Sequence, residues 1–71
     1  MAVYKKVQIV GTSGESLEDA IQKAIARASQ TLRNLGWFEV KEIRGALAEG
    51  RVKEYQVVLE VGFRLEDADT L

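Results

Sequence analysis

A chain of 71 residues makes one small domain, and a domain of this size buries too little surface to be comfortable alone. It has no cysteine and no histidine, which removes disulfides and nearly removes an ordinary structural zinc site, so association with further copies is the expected source of added stability. Ten basic and eleven acidic residues, interspersed to a net charge of −1, argue against nucleic acid or an anionic membrane as main partner.

No apolar run approaches the ~20 residues of a membrane span, and Met1–Lys6 turns straight into a strand pattern without a signal-peptide core. A cytoplasmic protein is the expectation. Val3 to Val10 reads as a first strand, with Val3, Lys5, Val7 and Ile9 on one face and Tyr4, Lys6, Gln8 and Val10 on the other. Lys5 on the apolar face points to an edge strand or a strand end. Gly11 to Ser16 is a small-residue turn into a helix, with Ser16 as its cap and Asp19 three residues on. An anion site at this helix start is the weaker alternative, since Glu15, Glu18 and Asp19 already supply negative charge.

The spacing predicts a helix from Leu17 to Leu35, because Leu17, Ala20, Ile21, Ala24, Ile25, Ala28, Leu32 and Leu35 recur at three- and four-residue steps. Asp19 and Lys23 are spaced to pair, Arg33 suits the last turn, and Gly36 suits the left-handed residue that closes a helix. Trp37 to about Ala48 reads as the second strand. Phe38 and Val40 share one parity and Ile43 and Leu47 the other, so a bulge near Lys41-Glu42 is expected to return both sets to the inside. Ala48-Glu49-Gly50-Arg51 is a hairpin turn. Val52 to Leu65 is a third strand with Tyr55, Val57, Leu59, Val61, Phe63 and Leu65 on the core face and Glu54, Gln56, Val58, Glu60, Gly62 and Arg64 opposite. Glu66 to Leu71 is expected to be a loose acidic tail.

The order is β-α-β-β, with strands two and three as an antiparallel hairpin and strand one at an edge. One helix covers one face of this sheet. The other face carries Trp37, Val58 and Tyr4 among polar groups, a surface suited to other subunits. Nothing supports catalysis: no histidine or cysteine is present, and the serines have no base nearby in sequence. An outward tryptophan does offer a π surface to a planar ligand, the amide of Gln56 carries a donor and an acceptor for its edge, and Arg44 and Arg64 suit a phosphate. On residue types alone a subunit contact at Trp37 is the more common alternative.

Val10-Gly11-Thr12-Ser13 ahead of an alanine-rich helix resembles the dodecins, as do Leu35-Gly36-Trp37-Phe38-Glu39-Val40, Ile43-Arg44-Gly45, Tyr55-Gln56-Val57 and Val61-Gly62-Phe63-Arg64-Leu65. The resemblance covers nearly the whole chain, in order, and is nearest the bacterial branch. It implies an α+β fold in which a three-stranded antiparallel sheet wraps one helix, and a hollow shell of twelve copies. It implies stacked flavin pairs at two-fold contacts, each held between a tryptophan and its partner flavin. Trp37 stands at that tryptophan, Gln56 at the glutamine on the flavin edge, and Arg44 at an arginine that favours the phosphorylated flavin, flavin mononucleotide (FMN), with riboflavin or FAD as alternatives. It further implies coenzyme A at other contacts in some members. The expected role is storage of a photoreactive cofactor, with a purely structural shell or a coenzyme A-binding assembly as the alternative.

Overall fold

The computed structural model describes residues 2–66, in which β1 (Tyr4–Ser13), α1 (Leu17–Ala28), β2 (Leu35–Ala48) and β3 (Arg51–Arg64) follow one another along the chain. The sheet order is β1-β3-β2, and both pairings are antiparallel. β1 runs unbroken against β3 from Tyr4 opposite Arg64 to Ser13 opposite Tyr55. β1 is thus longer than its apolar alternation suggests: Gly11, Thr12 and Ser13, expected in a turn, are strand.

β2 needs three register shifts to follow β3, between Leu35 and Trp37, Val40 and Glu42, and Ala46 and Leu47. The middle one is the bulge that the change of apolar parity demanded. With it, Val40 opposes Leu59 and Ile43 opposes Val57, so both apolar sets share the helix side of the sheet. The hairpin closes through two consecutive left-handed residues, Glu49 (φ 54°) and Gly50 (φ 74°), the twist that matches paired strands.

Ser16 caps α1, its hydroxyl accepting the Asp19 N–H at 2.9 Å. Asp19 does not return to the Ser16 backbone, as a capping box would. Its carboxylate accepts the Ser13 hydroxyl at 2.6 Å and pairs with Lys23 at 2.9 Å, while buried Ser13 also accepts the Glu15 N–H at 2.9 Å. The end of β1 is thereby tied to the start of the helix. The Ser13 hydroxyl, and then Lys23, hold the Asp19 carboxyl below its usual range. A lowered carboxyl contributes stability above its unfolded-state value and loses it as pH falls through the folded value. Asp19→Asn is therefore expected to be less stable than the parent at neutral pH, with the gap closing below the ordinary carboxylate range. Unfolding curves at pH 7 and in strong acid check this, and an equal gap at both would remove Asp19 as the tie.

The helix ends at Ala28, two turns before its apolar stripe does. Ser29 folds its hydroxyl back onto the Ala26 carbonyl at 2.7 Å, and the Thr31 and Leu32 amides both reach the Ala28 carbonyl in a closing turn. The left-handed residue is Asn34 (φ 63°), not Gly36, which lies in β2; asparagine is among the side chains that tolerate this backbone. Arg27, not Arg33, is the base of the last turn. Arg33 instead meets Glu66 at 3.4 Å, and the rest of the expected tail, residues 67–71, lies outside the described residues.

The core is small. Ala20 and Ala24 of α1 lie on Val57 and Leu59 of β3, flanked by Ile9, Leu17, Ile21 and Ile25. Small residues let the helix approach closely, and it lies over β1 and β3, not over β2. Phe38, Val40, Ile43 and Leu47 therefore face the helix side without being covered, between 43% and 74% exposed. They were expected in the core. No helix among the described residues is long and apolar enough to cross a membrane.

Candidate functional site

On the opposite side of the sheet, Trp37 sits across from Gly62, and its six-membered ring occupies the space that a Gly62 side chain would fill. A glycine inside a strand allows such close approach. The Tyr4 ring meets the indole edge-on, with centroids 5.4 Å apart and planes at 67°, a geometry that adds about 0.5–1.5 kcal/mol beyond burial. The Trp37 N–H donates to Glu39 Oε2 at 3.1 Å. With one side seated on Gly62, Trp37 remains 40% exposed. It is a flat aromatic surface already fixed in place.

Glu39 is itself held. Lys6 of β1 reaches its carboxylate at 3.2 Å and that of Glu60 on β3 at 3.0 Å, forming a charged row across all three strands. The Trp37 N–H, and then Lys6, hold the Glu39 carboxyl below its usual range; Glu60, and then Glu39, raise Lys6. Sequence patterning placed Glu39, Lys6, Glu60 and Gly62 on this face but assigned them no part in the site. The glycine in the interior of a long strand was the available signal.

Gln56 and Arg44 lie on the same side of the sheet as Trp37, because the bulge keeps the strands in phase and sets Arg44 directly opposite Gln56. Arg44 Nε donates to Gln56 Oε1 at 2.8 Å, and the Gln56 amide donates to Glu54 Oε1 at 2.9 Å. The arginine's other contact is Glu42, at 3.5 Å. This cluster is not at the indole. Six residues of β3 separate Gln56 from Gly62, about 20 Å at strand rise. Arg64, opposite Tyr4, stands at the Trp37 end, so Arg44 and Arg64 of one chain do not converge on one phosphate.

A groove of about 510 Å³ lies on the helix side, between β1 and α1, with Ile9, Val10, Ala24 and Leu32 in its lining and Lys23 and Arg27 among its cations. It is separated from Trp37 by the sheet. Among the described residues, no group of three or more carboxylates converges as a metal site would.

A single helix on a three-stranded antiparallel sheet whose other face presents a seated tryptophan defines a small sheet protein with an aromatic platform. The family model of the dodecins matches residues 3–66. Dodecin of Thermus thermophilus is 74% identical over 65 residues, which cover 92% of this chain and 94% of that relative. Calcium dodecin of Mycobacterium tuberculosis is 34% identical over 68 residues, 96% of each chain. A crystal structure of a Thermus thermophilus protein superposes with a TM-score of 0.92 at 70% identity, covering 96% of this chain and 100% of that one. The chain belongs to the dodecin family.

Proposed function

We propose that the protein stores flavin, FMN foremost, by stacking its isoalloxazine ring on Trp37 within a closed assembly of identical chains. The observation that carries this is the fixed, exposed indole over Gly62. A planar ligand then stacks on a ring that is already ordered, at little entropic cost.

The distance from Trp37 to Gln56 supports a site shared between copies. A ring system on one indole is too short to reach Gln56 of the same chain, whereas a two-fold contact sets Gln56 and Arg44 of a second copy against it. There Gln56 reads the edge of the ring and Arg44 meets the phosphate, each giving up an internal partner to do so. The uncovered apolar residues of β2 favour association on the other face of the sheet, and a shell of twelve copies satisfies both faces. Stacked on an electron-rich indole, a photoexcited flavin is quenched by electron transfer and returns unchanged, so the protein holds its cargo and transforms nothing.

The test is a fluorescence titration of FMN against protein sized by gel filtration. Stoichiometric quenching on a species near twelve subunits is the expected result. Trp37→Ala is expected to weaken binding by roughly 1–3 kcal/mol, one aromatic stack, while the assembly persists. Loss of the assembly in that variant would make Trp37 a subunit contact instead. A large species that leaves FMN unquenched would move the search to other cargo, coenzyme A first.

A further inference from the structure

We propose that Glu39 is the positioning residue of the platform, locking the Trp37 ring before any ligand arrives; this rests on the stacking role given to Trp37 above. An indole on an exposed sheet face has two side-chain torsions to settle, and each ring orientation presents a different plane to a ligand. Here three contacts fix it. The ring lies on Gly62, Tyr4 bounds one edge, and the N–H is held by Glu39 at 3.1 Å. Gly62 and Tyr4 limit where the ring can go, but only the hydrogen bond to Glu39 is directional enough to choose among the orientations that remain.

The carboxylate can serve this way because it is anchored at its far side. Glu39 lies two residues from Trp37 on the same strand face, so the two side chains point the same way. Its Oε1 is 3.2 Å from Lys6 Nζ, and Lys6 is in turn fixed at 3.0 Å by Glu60, so the acceptor for the indole is secured by Lys6 of β1, which Glu60 of the central strand β3 holds in place. Lys41 stands at 4.0 Å, at the limit of pairing. None of these charged residues belongs to the core cluster, which lies on the other side of the sheet. Exposed ion pairs taken singly contribute little to stability, and what this row supplies is orientation of the ring.

Because Trp37 is the only tryptophan, its fluorescence reports this ring alone. The experiment compares the parent, E39A and E39Q in two ways: time-resolved fluorescence anisotropy without flavin, and FMN titration. In E39A the fast local motion of the indole is expected to grow and FMN affinity to fall roughly tenfold, the effect of losing one charge-assisted hydrogen bond. E39Q, which keeps a carbonyl oxygen in the acceptor's place, is expected to restore both readouts most of the way. An E39A chain that matches the parent in both readouts would overturn the proposal. So would failure of E39Q to restore a loosened ring, since charge rather than placement would then be at work. If the parent takes up no FMN, the storage role fails, and the anisotropy comparison still decides whether Glu39 locks the ring.

Discussion

Gly62→Ala will leave the sheet folded and abolish the aromatic platform. The new methyl group would overlap three atoms of the Trp37 six-membered ring, all of them at the far end of a flexible side chain. The ring can therefore swing aside without moving backbone, and the fold loses little. In leaving, however, it gives up its seat, its edge contact with Tyr4 and its bond to Glu39. FMN binding is expected to fall at least as far as in Trp37→Ala, by roughly 1–3 kcal/mol or beyond, since a displaced indole also obstructs the ligand. The check is an FMN titration beside a thermal unfolding curve. Parent-like quenching in Gly62→Ala would show that the ring does not need its seat.

The same substitution at Gly11, in β1, should have the opposite character. At Gly11 a methyl group would run into the backbone carbonyl of Ala20 and come within 2.8 Å of Ala24 Cβ. Backbone cannot swing aside, so α1 must lift from the sheet, opening the contacts of Ala20 and Ala24 with Val57 and Leu59. Overpacking of this kind costs about 1–3 kcal/mol, and in a domain of this size each kcal/mol lowers the melting temperature by roughly 4–8 °C. Gly11→Ala is accordingly expected to melt well below the parent while keeping its indole surface. An unchanged melting temperature would mean that the helix is not seated where Gly11 allows it.

These two glycines show what could be read in advance and what could not. Alternation along β3 and the change of parity in β2 located the sheet, its faces and its bulge, because burial of alternate residues leaves that pattern in any strand. It also put Trp37 and Gln56 on one side, and the register then adds Arg44 to them. The helix end was misjudged because Leu32 and Leu35 continue the apolar spacing by coincidence: they serve the connection and β2, while Ser29 and Asn34 carry the stop. The exposure of Phe38, Val40, Ile43 and Leu47 was invisible to patterning, which reports which side a residue faces but not how far a covering helix extends. The lock around Trp37 was hidden for a related reason. Lys6, Glu39 and Glu60 are far apart in sequence, and their meeting depends on β3 lying between β1 and β2.

That strand order also has a kinetic meaning. The strand in the middle of the sheet is made after both of its neighbours, and its far end pairs Arg64 with Tyr4 across almost the full length described. β1 and α1 can emerge from the ribosome without a partner to fold on, since neither the sheet nor the floor beneath the helix exists until Val57 and Leu59 arrive. Contacts this distant in sequence slow folding, and an early β1 with no strand beside it is an open edge while the chain waits. Lys5 and Lys6, consecutive near the start of that strand and so on opposite faces of it, are charges placed where a nascent chain would otherwise stick to its sisters.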